Sequence, residues 1–223
     1  LLEDGVRAFP RKLDLVRSAR DTIFFTTMEA ALDTTGTVFV DELIAAARRG
    51  VDVRCVIGSR YTSSRVFRRL ERGGVKTVRY NPIYDIGGRK GRLHVKMVVA
   101  DLRRAIVGGM NMKDSYNLGD GLNDDYHDVD ALVEGDVAAE ASREFLKLWL
   151  EFNGGDAAAQ TMFTQASLWS RLIPAGPSRI GSARFIWQAS DRGEFYIRDA
   201  YRAQFDQARN QILWYTNNLN IPN

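Results

Sequence analysis

Apolar and polar positions along this 223-residue chain switch repeatedly between two periods. Alternation at every second residue, or a short unbroken apolar run, predicts a strand; recurrence at three and four predicts a helix. By that rule TIFFTT (22–27) is a strand and VFVDELIAAARRG (38–50) a helix closed by Gly50. VDVRCVIG (51–58) is a second strand and SSRVFRRLERGG (63–74) a helix capped by Ser63 and stopped at Gly73–Gly74. KTVRY (76–80) is a third strand. A loop with Pro82, Gly87, Gly88 and Gly91 then leads into LHVKMVV (93–99), a fourth. RRAIVG (103–108) is its hairpin partner across a turn at Asp101–Arg103, and DVDALVEG (128–135) is a further strand. DVAAEASREFLKLWLEF (136–152) is a long helix. Strand–helix alternation followed by a hairpin predicts an α/β fold, a mixed β-sheet flanked by helices.

The rhythm breaks at 153–182, which reads as a connector, and then restarts. SARFIWQ (182–188) is strand-like and FYIRDAYRAQFDQARNQILWYTN (195–217) is a helix feeding a strand, as FPRKLDLVRSARDTIFFTT (9–27) is near the front. Ala19, Arg20 and Ile23 recur as Ala208, Arg209 and Ile212, an offset of 189. The layout expected is therefore one half over 1–152, a connector over 153–182, and the first elements of a second, truncated half over 183–223. The chain begins at Leu1 without a methionine and reads as a fragment at its front.

Composition adds little until it is resolved along the chain. At 45% hydrophobic the sequence belongs with ordinary globular proteins, and a net charge of +3 does not by itself announce an anionic partner. Residues 60–92, however, carry a net +8 and residues 111–156 a net −9. A solvated helix face and an anion-steering surface both fit the basic block. Cys55 is the one cysteine, which excludes a disulfide framework or a cysteine metal site within the chain. No apolar run approaches the roughly 20 residues of a spanning helix, and no signal-peptide pattern is present.

Chemistry concentrates in RLHVKMVVADLRRAIVGGMN (92–111), which holds one of the two histidines. In a strand, residues i and i+2 share a face, so His94 and Lys96 are expected to point one way while Leu93, Val95, Met97 and Val99 point into the core. An imidazole beside an ammonium makes an anion site with a potential nucleophile. Gly108 and Gly109 leave room for a ligand to approach backbone N–H groups, and Asn111 offers an amide donor. Each feature alone has a bland explanation: a satisfied histidine, a solvent-facing lysine, a glycine turn.

Together, His94-x-Lys96, four residues, Asp101, six residues, Gly108–Gly109-x-Asn111 resembles the HKD signature of the phospholipase D superfamily. Six such fixed positions arise by chance in on the order of one chain in 10⁵–10⁶. LIAAARRGVDVRCVIGS (43–59) and HDVDALVEGDVAAEASREFLKLW (127–149) are similar to the segments flanking that motif in cardiolipin synthase-type members. In this family two such halves form one pseudo-symmetric enzyme. The resemblance implies a phosphodiester-cleaving or phosphatidyl-transferring enzyme that works on phospholipids through a covalent phosphohistidine, with no metal or other cofactor. His94 is expected to be the nucleophile, with the acid role open, while Lys96 and Asn111 stabilise phosphoryl oxygens. Asp128 matches the acidic residue that orients the histidine and is preferred over Asp124, Asp125 and Asp130. Asp101 is expected to brace its turn or pair with a base, and His127 has no matching role.

Only one His-x-Lys signature is present, so the implied partner is a second HKD-containing half, from the rest of the same polypeptide or a companion chain. Many synthases carry Arg-Asn-His-Arg-Lys where this chain has Arg92-Leu93-His94-Val95-Lys96, which shifts weight from transfer toward hydrolysis. A bacterial enzyme at a membrane surface, or secreted, is the setting the resemblance implies. The alternatives are a metal-independent nuclease of the same superfamily, whose Arg-rich 60–79 region would track a nucleic-acid backbone, and a non-enzymatic head-group binder. The first lacks aromatics interleaved in the basic helix and faces the acidic 114–130 stretch; the second sits poorly with six intact motif positions.

Overall fold

The computed structural model describes residues 1–80, 93–117, 126–173, 188–189 and 194–209. The loop at Pro82–Gly91, Asp124 and Asp125, most of the strand expected at 182–188 and the strand expected after the last helix lie outside them. The chain divides into two compact units, Leu1–Phe185 and Ile186–Asn223.

The first unit is a seven-stranded mixed sheet. Its strands are β1 (Leu2–Glu3), β2 (Thr22–Thr27), β3 (Asp52–Gly58), β4 (Lys76–Tyr80), β5 (Lys96–Ala100), β6 (Arg104–Gly108) and β7 (Val129–Glu134), in the spatial order β1-β7-β6-β5-β2-β3-β4. β2, β3 and β4 are parallel and joined through α2 (Thr34–Arg48) and α3 (Ser64–Arg72); β5, β6 and β7 form an antiparallel meander beside them. The remaining helices of this unit are α1 (Asp4–Ser18), α4 (Asp136–Phe152), α5 (Ala157–Thr164) and α6 (Ala166–Leu172).

Alternation along β2 shows how the layers stack. Phe24 stacks on Phe145 of α4 with ring centroids 4.5 Å apart, while its neighbour Phe25 meets Phe39 of α2 at 5.0 Å. Successive strand residues face opposite sides, so α4 covers one face and α2 the other. Every residue of β2 is buried, which is why TIFFTT reads as an unbroken run rather than an alternation. The helix ends follow their residues: the Asp33 carboxylate accepts from the Gly36 N–H, and Ser63 accepts from the Arg65 N–H.

Within the 153–182 stretch, two helices that the pattern did not show, α5 and α6, occupy residues 157–172. They escaped the pattern because each is short and mostly exposed, so neither shows a sustained apolar stripe. Their anchor is Asp156, whose carboxylate accepts from the Ala159 N–H, from Trp149 Nε1 and from the fully buried Arg54 of β3. Burial opposes ionisation of Asp156, but those donors hold its carboxyl down to about 2. The second unit holds the paired strands β8 (Gln188–Ala189) and β9 (Glu194–Phe195) and the helix α7 (Tyr196–Gln207).

Candidate functional site

Apart from Asp101, the motif residues gather where β5 begins, β6 ends and β7 begins. Strand register explains the grouping. Lys96 of β5 is opposite Gly108 of β6, and Gly108 is opposite Asp130 of β7, so the three form one cross-strand row. A Cβ at Gly108 would sit 2.0 Å from Asp130 Oδ1, and one at Gly109 would sit 2.2 and 2.3 Å from the Asp128 carboxylate oxygens. The room left by the glycines is therefore taken by two carboxylates rather than held open for a ligand, as the sequence had suggested.

Below this row lies Lys12 of α1. Its Nζ is 2.7 Å from Asp130 Oδ2, and both side chains are almost wholly buried. Burial lowers the Lys12 pKa, against the pull of Asp130 and Asp128. Lys96 is 5% exposed. Burial brings it down to about 8, again opposed by Asp128 and Asp130. Two lysines and two aspartates thus interleave at this end of the sheet, and Lys96 remains a cation at neutral pH.

The expected His94–Lys96 face needs correction. β5 begins at Lys96, and residues 93–95 precede it outside any strand. His94 is exposed while Lys96 is buried, so the two do not share a strand face. Lys96 instead donates from Nζ to the main-chain oxygen of His94 at 3.1 Å, which fixes the backbone that carries the imidazole. The pattern misplaced the strand start because Leu93 and Val95 are apolar and flank the same alternation without being paired.

Asn111 is 1% exposed and closes the other side of the site. Its Oδ1 accepts from Thr27 Oγ1 and from the Glu29 N–H, each at 3.2 Å, and its Nδ2 donates to the Tyr116 hydroxyl at 3.1 Å. The amide expected to face a phosphate is thus engaged in tying the end of β2 to the 3₁₀ turn Asp114–Tyr116. Asp128 lies beside Gly109 with one oxygen accepting from the Val129 N–H. His127 is exposed, its Nδ1 3.1 Å from Asp4 Oδ1.

Asp101 is at the opposite end of β5 from Lys96. Its carboxylate accepts from the N–H groups of Arg20, Asp21 and Thr22, which pins the α1–β2 junction rather than its own turn or a basic side chain. Lys12, Thr27, Glu29 and Tyr116 were not singled out from sequence. Lys12 left a signal: with Ala8, Phe9, Leu15 and Val16 it falls on the buried helical stripe of α1, where an uncompensated lysine is costly.

Comparison with known proteins adds a family. Residues 13–149 match the model described as the phospholipase D-like domain of cardiolipin synthase. Cardiolipin synthase B of Escherichia coli K12 is 27% identical over 225 residues, covering 96% of this chain and 51% of that protein. An uncharacterized protein of Helicobacter pylori is 30% identical over 165 residues, 67% of this chain and 33% of its own length. This chain spans about half or less of these relatives. Among solved structures, NucT from Helicobacter pylori superposes with a TM-score of 0.53 at 15% identity, over 65% of this chain and 88% of its own. That likeness is one of fold.

Proposed function

We propose that this chain, which belongs to the phospholipase D-like domain family of cardiolipin synthases, forms one half of an active site that cleaves or transfers phosphodiesters of phospholipids. The observation that carries this reading is Lys96: a buried ammonium, kept cationic by two nearby carboxylates, bonded to the backbone of an exposed histidine. His94 attacks phosphorus, a nitrogen–phosphorus bond forms, and the phosphorus–oxygen bond to the leaving alcohol breaks. A second histidine protonates that alcohol, then takes the proton of water or an acceptor alcohol as the phosphohistidine is released. Lys96 offsets the negative charge that builds on the phosphoryl oxygens. Asp128 supplies the carboxylate that biases the imidazole tautomer.

The second histidine comes from a further half, contributed by the rest of the same polypeptide or a companion chain. Residues 183–223 support this: α7 ends at Gln207, 189 positions after the end of α1 at Ser18. Coverage of 96% of this chain by cardiolipin synthase B favours phospholipid as the substrate class. The test offers the full polypeptide phosphatidylglycerol, phosphatidylcholine and single-stranded DNA, with and without added glycerol, and identifies products by mass spectrometry. Lipid turnover that disappears in His94→Ala is expected. Cleavage of DNA alone, or lipid turnover that persists in His94→Ala, refutes the reading.

A further inference from the structure

Away from the site, α2 and α3 enclose a groove of about 710 Å³ lined by Arg48, Arg65, Arg68, Arg69, Arg72 and Leu32. The helical period explains it. Val66, Phe67 and Leu70 bury one face of α3 and leave its arginines on the other. Asp41 also lines the groove, but its carboxylate is taken up by a two-pronged bond from Arg69. Arg48, Arg65 and Arg72 have no ion pair among the described residues. The groove is therefore strongly cationic, with little internal compensation.

Exposed apolar side chains lie on the same elements and the loops that lead into them. Leu32 is 37% exposed, and Val38, one helical turn before Asp41 on α2, is 42% exposed. Tyr61 is exposed in the β3–α3 connection, with the Arg60 guanidinium 5.8 Å from its ring centre. These loops adjoin the candidate site: the Ala31 N–H donates to the Met112 oxygen, one residue past Asn111, and the Ala30 N–H donates to Thr62 Oγ1. Guanidinium groups beside exposed aliphatic and aromatic side chains suit a surface that presents phosphates above hydrocarbon. A nucleic-acid backbone would use the charge but give Leu32 and Val38 nothing to bury against.

We propose that the α2–α3 groove docks an anionic phospholipid bilayer, with Arg48, Arg65, Arg68 and Arg72 on headgroup phosphates and Leu32, Val38 and Tyr61 entering the interface. This surface is distinct from the catalytic reading and does not depend on it.

Co-sedimentation of the full polypeptide with vesicles tests it. Binding is expected to phosphatidylcholine vesicles containing phosphatidylglycerol, with none to phosphatidylcholine alone and release at high salt. The triple variant R48Q/R65Q/R72Q loses about fivefold per arginine, roughly a hundredfold in all, whereas R48K/R65K/R72K retains binding. L32S/V38S weakens binding without changing its salt dependence. Hydrolysis of a short-chain, water-soluble phosphodiester is unchanged in the triple variant, which separates docking from chemistry. Undiminished vesicle binding by the folded triple variant overturns the proposal. So does single-stranded DNA that binds the parent, is lost in the same variant and displaces the vesicles.

Discussion

Removing Lys12 leaves the Asp130 carboxylate, 1% exposed, without its 2.7 Å partner. A buried pair contributes little against an apolar isostere, but breaking one from a single side costs about 3–5 kcal/mol because a charge is stranded. Here the cost of Lys12→Met falls near the low end, about 3 kcal/mol, since Lys96 occupies the same row and its charge reaches Asp130. Adding Asp130→Asn to Lys12→Met removes the stranded charge and leaves only a poorly bonded amide, a residual cost of about 1–2 kcal/mol. Urea denaturation reads this directly. With a slope of about 2 kcal/mol per molar, the single variant unfolds about 1.5 M earlier than the parent and the double variant recovers roughly a third to two-thirds of that shift. A single variant within about 0.5 kcal/mol of the parent, or a double variant no better than the single, would falsify the claim that these charges depend on each other.

Turnover is expected to fall as pH rises through about 8, because the Lys96 ammonium is lost there, and Lys96→Met should abolish that limb along with most activity. Stability runs the other way. Between about 8 and the ordinary value of 10.5 the unfolded chain binds more protons at this position, so unfolding free energy rises with pH, and Lys96→Met flattens the rise. Asp156 has a depressed pKa, so its contribution to stability is present above the ordinary value of 3.8 and is lost as pH falls toward 2; acid titration of Asp156→Asn should lack that loss. Gly109→Ala meets the Asp128 carboxylate most closely, a side chain that can shift, and should fold while losing activity, whereas Gly108→Ala meets the main chain, the Val129 oxygen at 2.5 Å and the Asp130 Cα at 2.6 Å, and should melt markedly lower. Thermal melts and turnover of the two variants, measured side by side, separate the two glycines.

Strand and helix identities were legible where an element keeps one period over its length and ends on a residue suited to ending it, as Ser63 and Gly73 do for α3. The pattern failed where neighbours rather than periodicity decide. Whether Leu93 to Val95 join a strand depends on a partner across the sheet, and the alternation there cannot report one. The surroundings of Lys96 depend on Asp130, 34 residues later, which Lys12 of α1 holds in place, and no local pattern reports that contact. The acids were hard to rank because the sequence does not show that Asp130 is buried against Lys12 while Asp128 is half-buried over Gly109.

The spacing of the motif has a mechanical origin that the residue types alone do not reveal. Lys96 to Ala100 is one strand, Asp101 to Arg103 the turn, and Arg104 to Gly108 the return, so the count of residues brings Gly108 back opposite Lys96. Asp101, at the far end, holds the hairpin to the start of β2 through three N–H groups. An inserted residue in either strand would slip the register by one and turn the facing side chains to the opposite side of the sheet. Gly108 would then no longer leave space for Asp130, and Lys96 would lose the carboxylate that opposes its deprotonation. The fixed intervals are the length of a ruler. Under the proposed function, His94 and Lys96 act on phosphate, while Asp101 and Gly108 keep the strands that carry Lys96 and Asp130 in register.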